Sequence, residues 1–475
     1  MLLHGLSTKE KCQIINQNPK IYGSFAEIGA GQEVARSFFR VAGASATVAK
    51  TMSAYDMTFS DLIYGAEPSK RYVCESRLKK MLIHEFDLLT DRLGRPRGKD
   101  SAFFAFANTV AARSRKSRSQ CHGWMGLRFQ QSPESEFSEI IVHVRMLDQR
   151  NFLQQEALGI VGVNLIYGAY YLSKDPLDLI DSLVDGLDLG RIEIDCVHLS
   201  GPLFSKTDRR VIGFHLVENQ LSKNVFITES GNTDLAGDQL YGKPVLTLSG
   251  SFAPLTLLHE DMIKAARSLI QTKFKISEPH VVLDINVSKL VGPQKCADIY
   301  FLDRIKLLGE LGFSVQLSRY EHHFELMEHI TKCTQEKVFL LVGIGHLAPM
   351  FDAAHLDNLD GGVLEGLGKL TSGNSHILCY PANSLDVEQP VAKDQKTNCF
   401  TLKSFPVPSS FKGALSDLVS EDKFIDLEGS DDKLLRISSK EVLEQIRSRE
   451  AAWTDKVSKN VKGIIESQHL FGWRP

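Results

Sequence analysis

The residues with the clearest chemical potential are Thr256 and His259, which follow a small-residue turn at Gly250 and Ser251. Residues 246–266 read L-T-L-S-G-S-F-A-P-L-T-L-L-H-E-D-M-I-K-A-A, which is a β-rich run, then the turn and then an amphipathic helix. Such a turn lets backbone N–H groups approach phosphate oxygens, and the positive end of the next helix points at them. Thr256 and His259 lie one helical turn apart, so we expect both to face the same anion.

A second candidate anion site lies near the other end of the sequence. Ser438, Ser439 and Lys440 begin a predicted helix that continues E-V-L-E-Q-I-R-S-R. Serine hydroxyls at an N-cap, together with free N–H groups, make an anion site without needing a charged residue. By itself this pattern is more often an ordinary capping box, with Glu441 or Glu444 as the acidic partner. Two such motifs in this order, with a plausible domain between them, favour the anion site.

Together, the two motifs resemble those of the adenylyltransferases that make NAD from nicotinamide mononucleotide. The first resembles the family signature G-S-F-x-P-x-T-x-x-H and matches it at Gly250, Ser251, Phe252, Pro254, Thr256 and His259. The second resembles the closing motif I-S-S-T-x-x-R, which is also found at a helix start. The resemblance covers residues 243–475. It implies a doubly wound parallel sheet and transfer of AMP from ATP, with Mg²⁺, to nicotinamide or nicotinate mononucleotide, with release of pyrophosphate.

The resemblance also implies roles for individual residues. His259 is expected to hydrogen-bond the phosphate as charge builds in the transition state, with Thr256 assisting. Arg304 matches loosely an arginine that packs near the mononucleotide, although a surface or salt-bridged helix arginine fits its position equally well. The implied nucleotide-binding residues are Gly250, Ser251, Phe252, Gly343, Ser438, Ser439, Lys440 and Arg304.

Three departures from the family pattern favour the alternative of a catalytically degenerate nucleotide-binding or scaffold protein. Ala253 replaces an Asp or Asn, Gly345 replaces an Asp, and Leu443 replaces the arginine of the closing motif. Nucleotidyl transfer depends mainly on positioning and charge neutralisation, so another cation can take over the role of that arginine. The candidates close in sequence are Lys440, Arg436 and Arg447.

The region between the motifs alternates between predicted strands and helices. The predicted strands are residues 280–287, 314–318, 338–344, 377–380 and 423–427. The predicted helices are residues 297–312, 322–332 and 361–370. Alternation of this kind predicts an α/β fold with a parallel sheet and a ligand site at the carboxyl ends of its strands.

Composition limits the remaining function classes. With 475 residues, 43% hydrophobic and 24% charged, the chain is expected to form two or three globular domains. A net charge of −3 gives no reason to expect a nucleic-acid partner. The eight cysteines are scattered without metal-site spacing, which favours a reduced, cytoplasmic setting. The longest apolar stretch, residues 157–172, is predicted to be a buried helix and not a membrane span. The expected partners are small nucleotides, and a homo-oligomer remains open.

The first half of the chain resembles no family that its residues identify. We predict an N-terminal α+β domain of unknown role over residues 1–173 and a bridging segment over residues 174–242. The basic stretch 111–129 is interpreted as a solvated loop leading into a strand, with binding of a phosphorylated ligand as the alternative. Glu193 and Asp195 share one face of a predicted strand, where a solvent-facing edge is the commoner explanation and a metal pair the rarer one.

Overall fold

The computed structural model describes residues 5–29, 31–69, 71–112, 121–290, 300–383, 399–428 and 433–474. The chain divides into two compact units, Met1–Lys223 and Asn224–Pro475, called here the N-terminal and C-terminal units. Each unit has its own sheet and its own hydrophobic core.

The N-terminal unit combines a six-stranded sheet with helices. Its strands are β1 (Ile21–Gly29), β2 (Val48–Met52), β3 (Ala102–Ala111), β4 (His122–Gln130), β5 (Phe137–Met146) and β6 (Ile192–Ser200). Its helices are α1 (Thr8–Asn16), α2 (Glu33–Phe39), α3 (Met57–Tyr64), α4 (Glu75–Arg97), α5 (Asn151–Tyr171), α6 (Pro176–Asp181) and α7 (Arg209–Glu218).

The sheet of the N-terminal unit has the strand order β2-β1-β3-β4-β5-β6. Strand β1 pairs in parallel with both β2 and β3, and the remaining pairs are antiparallel. Leu78 and Leu82 of α4 pack over Gly126 on one face. Gly162 of α5 packs against Phe106 on the other face, because a glycine there leaves room for the ring. Helix α5 contains the apolar stretch predicted to be buried, and it is buried.

The C-terminal unit is also mixed α/β. Its strands are β7 (Asn224–Ile227), β8 (Thr233–Asp234), β9 (Val245–Ser249), β10 (His280–Asn286), β11 (Ser314–Ser318), β12 (Val338–Gly343), β13 (Ser375–Tyr380) and β14 (Phe424–Asp426). Its helices are α8 (Ala236–Gln239), α9 (Leu257–Phe274), α10 (Phe301–Glu310), α11 (His323–Cys333), α12 (Gly362–Leu370), α13 (Lys412–Ser420), α14 (Ser439–Ser448) and α15 (Lys459–Gln468).

The second sheet has the strand order β14-β13-β12-β9-β10-β11-β7-β8. The pairs that strands β9 to β14 form with one another are all parallel. Strand β7 instead pairs antiparallel with β11. The chain runs outward from β9 to β11 and then returns to place β12 on the other side of β9. Leu340 of β12 packs in the core formed with α11 and α12, while its neighbour Phe339 contacts Phe274 of α9. Helices therefore cover both faces, and the α/β prediction is confirmed.

The segment 174–242, predicted as a bridge, contributes to both units in the structure. Strand β6 pairs along its length with β5, so it completes the first sheet, and α7 packs on β6. Strand β7 instead pairs with β11 and belongs to the second sheet. The division falls between Lys223 and Asn224 because hydrogen-bonded registers, which composition does not reveal, assign each strand to a sheet.

In the part of the chain that the structure describes, no helix is both long enough and apolar enough to cross a membrane. Strand predictions in the C-terminal unit agree with the structure to within about two residues, the usual uncertainty of element ends. The helix predicted at residues 297–312 begins outside the described residues, and α10 starts at Phe301.

Candidate functional site

A cleft of about 610 Å³ lies at the carboxyl ends of β9, β10, β12 and β13 in the C-terminal unit. It brings together segments of both sequence motifs. The glycines and polar residues that line it are Ser249, Gly250, Ser251, His259, Asn286, His323, Gly343, Gly345, His346, Tyr380, Ser438, Ser439 and Lys440.

The turn after β9 is held by hydrogen bonds to Asp284 and by the packing of Phe252. The N–H of Gly250 donates to the carbonyl of Asp284 at 3.0 Å, and the Ser249 hydroxyl donates to the Asp284 carboxylate at 2.7 Å. The Phe252 side chain is fully buried, and its backbone adopts a positive φ of 45°. A Cβ on Gly250 would lie 2.8 Å from the Phe252 ring, so only glycine fits there without a shift. Gly250 and Ser251 line the cleft, while Phe252 supports them.

Arg304 also supports this turn. Its side chain is buried, and Nε donates to the carbonyl of Ser251 at 2.8 Å. Arg304 is not among the residues that line the cleft. The alternative prediction that it lies on the surface is also wrong, because its side chain is buried. The guanidinium instead holds the backbone of Ser251, which lines the cleft.

His259 is oriented by the N-cap of α9. The backbone N–H of Thr256 donates to Nδ1 of His259 at 3.1 Å, so the ring proton resides on Nε2. Burial lowers the pKa of His259 to about 4, which keeps the imidazole neutral near pH 7. The ring also contacts Phe252, with 5.2 Å between centroids. His259 therefore offers the cleft a neutral N–H donor.

Thr256 has a different position from the one its spacing predicts. It is the N-cap of α9, it is buried, and its hydroxyl lies 3.0 Å from Nδ1 of His259. It is not among the residues that line the cleft. An N-cap side chain turns back toward the first turn of its own helix, so Thr256 positions His259 and does not face the cleft.

The start of α14 contributes the second motif to the cleft. Ser438 is the exposed N-cap, and Ser438, Ser439 and Lys440 all line the cleft. The Ser439 hydroxyl donates to the carbonyl of Pro254 at 3.3 Å and so joins the two motifs across 185 residues. The first N–H groups of a helix lack intrahelical partners, and α14 directs them toward this region.

Of the three cations considered as substitutes for an arginine at Leu443, Lys440 alone lines the cleft. Arg436 lies in a separate groove with Glu441 and Asp455. The Arg447 guanidinium lies 5.6 Å from the centre of the Tyr300 ring. Among the described residues that line the cleft, none carries a carboxylate. The described lining therefore suits an anion.

Several cleft residues were missed by the sequence argument. Asn286 ends β10 and donates to the carbonyl of Tyr320 at 2.6 Å, and Tyr380 ends β13 and donates to the carboxylate of Asp261 in α9. Gly343, which was predicted, ends β12 and lines the cleft. All three residues lie at this cleft because the carboxyl ends of parallel strands meet at one edge of the sheet.

No resident metal site is found among the described residues, since no three His, Cys, Asp or Glu side chains converge. The cleft lining described above likewise offers no carboxylate to a divalent cation. These described residues therefore do not fit a protein-held Mg²⁺.

The carboxylates predicted on one strand of the N-terminal unit, Glu193 and Asp195, are both buried. Asp195 pairs with His143 and Arg145. Glu193 accepts from the Ser222 hydroxyl at 3.0 Å. The solvent-facing prediction is therefore wrong, because β6 packs its polar side chains into hydrogen-bonded positions. The basic residues Arg113, Arg115, Lys116 and Arg118 lie outside the described residues.

No protein-family model matches the sequence, and no curated protein matches it. Structural similarity is found to a nicotinic acid mononucleotide adenylyltransferase of Plasmodium falciparum complexed with APC, with 13% identity, a TM-score of 0.28 and coverage of 49% of this chain and 98% of that one. The chain is also similar to the competence/damage inducible protein CihA of Agrobacterium tumefaciens, with 18% identity, a TM-score of 0.26 and coverage of 35% and 97%. A CinA superfamily protein of Klebsiella pneumoniae gives 15% identity, a TM-score of 0.25 and coverage of 38% and 98%.

Proposed function

We propose that the C-terminal unit binds ATP in the cleft and transfers its AMP group to a mononucleotide, nicotinamide or nicotinate mononucleotide. The observation that carries this proposal is the convergence of two helix starts, those of α9 and α14, on one cleft. The dipoles of both helices, and the backbone N–H groups at the start of α14, favour a polyanion there.

The fold supports the same proposal. Numbered from β9, the parallel strands run in the order 3-2-1-4-5-6, which is that of doubly wound nucleotide-binding sheets. In such sheets the ligand binds outside the carboxyl ends of the strands, where the strand order reverses. Here that position lies between β9 and β12, and residues from both strands line the cleft.

The proposed reaction forms one P–O bond and breaks another. A phosphate oxygen of the mononucleotide attacks the α-phosphorus of MgATP, and the bond to the β-phosphate oxygen breaks to release pyrophosphate. His259 donates its Nε2–H to a phosphate oxygen as charge builds there, while Thr256 fixes the tautomer. Ser438, Ser439 and Lys440 hold the departing pyrophosphate through backbone N–H groups, hydroxyls and one ammonium.

Nucleotide binding is tested by calorimetry with ATP, NAD and nicotinamide mononucleotide on the intact protein. The proposal expects saturable binding of ATP, and absence of binding by all three below millimolar concentration contradicts it.

A second candidate is a nucleotide-binding protein without turnover. It is favoured by the small number of cations at the cleft, since Lys440 is the one Lys or Arg among the described lining residues. Leu443 stands where the resembled family has an arginine. Lysine lacks the bidentate fork of arginine, so it holds a phosphate less firmly. Binding of ATP without pyrophosphate release on addition of either mononucleotide identifies this alternative.

A further inference from the structure

A second, smaller pocket of about 230 Å³ adjoins the cleft in the C-terminal unit. His323 and His346 line both the pocket and the cleft, so a ligand in one reaches the other. We call this cavity, which Glu321, Phe324 and Leu367 help to line, the side pocket. It has less than half the volume of the cleft and therefore suits one ring of a ligand and not a whole nucleotide.

The walls of the side pocket suit a planar ring. Met350, Leu356 and Leu367 are buried apolar residues of its lining. The ring of His322 stacks on that of Phe324, with 5.1 Å between centroids and 12° between planes. The ring of His355 stands perpendicular to that of His322, at 4.9 Å and 90°. Aromatic groups in such stacked and edge-on arrangements pack well against a further flat ring.

The charge of the side pocket is opposite to that of the cleft. Glu321 carries the one carboxylate among the described lining residues, and no Lys or Arg is among them. The backbone N–H groups of Glu321 and His322 donate to the Glu325 carboxylate at 2.9 and 3.1 Å, which fixes the segment that carries Glu321. The Lys369 ammonium lies 5.4 Å from the centre of the Phe324 ring, but it is paired with Glu365 at 2.9 Å. The pocket therefore disfavours an anionic group.

The position of the side pocket indicates which substrate supplies the ring. Ser438, Ser439 and Lys440, which hold the departing pyrophosphate in the proposed reaction, line the cleft but not the side pocket. In-line displacement puts the attacking and leaving oxygens on opposite sides of the phosphorus. The side pocket, reached past His323 and His346, is thus on the route of the acceptor mononucleotide.

We propose, resting on the AMP transfer proposed above, that the side pocket holds the pyridinium ring of the acceptor and selects the carboxamide over the carboxylate. A carboxamide offers an NH₂ donor to Glu321 and a carbonyl acceptor to an imidazole N–H of His322 or His355. A carboxylate on the same ring only accepts, and it meets Glu321 as a like charge. Nicotinamide mononucleotide is therefore the acceptor, and Glu321 is the residue that determines this specificity.

The pocket is tested with two ring cations that lack ribose and phosphate, N1-methylnicotinamide and N1-methylnicotinate. Their binding to the intact protein is measured by ligand-observed NMR titration. The amide is expected to bind about 10-fold or more tightly than the carboxylate, because like charges at close range disfavour the latter. Glu321→Gln, which removes the charge from an exposed side chain, is expected to reduce this ratio to less than about threefold. Asp357→Asn is the matched control, since Asp357 is exposed and follows Leu356 but does not line the pocket, and it is expected to keep the ratio.

Equal binding of the two ring cations by the wild type overturns the proposal, as does a ratio that Glu321→Gln leaves unchanged. Displacement of N1-methylnicotinamide by ATP alone would assign the pocket to adenine and also contradict it.

Calorimetry with both mononucleotides separates this inference from the proposed function. Binding of both with nicotinate mononucleotide preferred contradicts the selectivity and leaves AMP transfer intact. Absence of binding by either mononucleotide, with the preference for N1-methylnicotinamide retained, contradicts AMP transfer and supports the selectivity of the side pocket.

Discussion

At the scale of single residues, the environment of His259 determines what it can do. Its Nδ1 accepts from a backbone N–H, and burial keeps the ring neutral, so it acts as a fixed donor with no need to lose a proton. This differs from a general base, which needs a pKa near the working pH. Two residue-level predictions follow from this geometry and from the position of Lys440.

The first prediction concerns acid stability. The pKa of His259 is about 4 in the fold, against an ordinary 6.5, so between these values the unfolded chain takes up a proton that the folded chain does not. The free energy of unfolding therefore falls as pH drops through this window. His259→Gln keeps a side-chain acceptor for the Thr256 N–H, as Gln does in a capping box, but does not titrate. We expect this variant to lose less stability than wild type between about pH 7 and about pH 5, measured by denaturant unfolding. Identical pH dependence contradicts the assignment.

The second prediction separates Lys440 from Arg436. Lys440→Ala is expected to weaken ATP binding by about 10-fold or more, because a hydrogen bond to a charged group contributes roughly 1.5–3 kcal/mol. Arg436→Ala is the matched control, since Arg436 lies in another groove, and it is expected to change affinity less than about twofold. Calorimetry measures both. Equal losses in the two variants would mean that long-range charge, and not contact in the cleft, determines the affinity.

At the scale of elements, the turn between β9 and α9 is held by Asp284, Phe252 and Arg304 together. This predicts different tolerance at two glycines of the cleft. Gly250→Ala places a methyl group against the buried Phe252 ring and is expected to lower the free energy of unfolding by about 1–3 kcal/mol, as overpacking does. It is also expected to weaken ATP binding. Gly343→Ala meets only His346, at 3.6 Å, and is expected to be tolerated. Denaturant unfolding of both variants provides the check, and equal stability of the two contradicts this description of the turn.

The sequence predicted the strands of the C-terminal unit well, because buried parallel strands are continuous apolar runs. It also indicated that Gly250, His259 and Ser438 lie close together, as their shared cleft shows, because strand ends meet at one edge of the sheet. It could not predict that Thr256 turns away from the cleft, since spacing fixes a helix face but not the direction of a cap. The contact of Arg304 with Ser251 spans 53 residues and depends on packing that no local pattern encodes.

At the scale of the whole molecule, all the candidate site residues belong to the C-terminal unit. The segment 224–475 produced alone is therefore expected to fold and to bind ATP within about threefold of the full chain, since mutations or cuts far from a site leave it nearly unchanged. The segment 243–475, which begins where the sequence resemblance begins, lacks β7 and its buried Val225, Phe226 and Ile227.

Loss of that strand exposes one side of β11 and removes apolar burial worth about 1.5–3 kcal/mol for each large side chain. The segment 243–475 is expected to melt at least about 5 °C below the segment 224–475. Thermal unfolding of the two segments measures this difference. Equal melting temperatures would place the domain boundary at residue 243 and contradict the boundary between Lys223 and Asn224.

AMP transfer in the cleft predicts that pyrophosphate is released from MgATP when nicotinamide or nicotinate mononucleotide is added. The wild type is expected to turn over at least one of them. His259→Ala is expected to slow release by about 10²–10³-fold, the usual effect of removing one transition-state donor, while a melting curve verifies that the variant is folded. Wild-type turnover that His259→Ala leaves unchanged would place the chemistry outside this cleft.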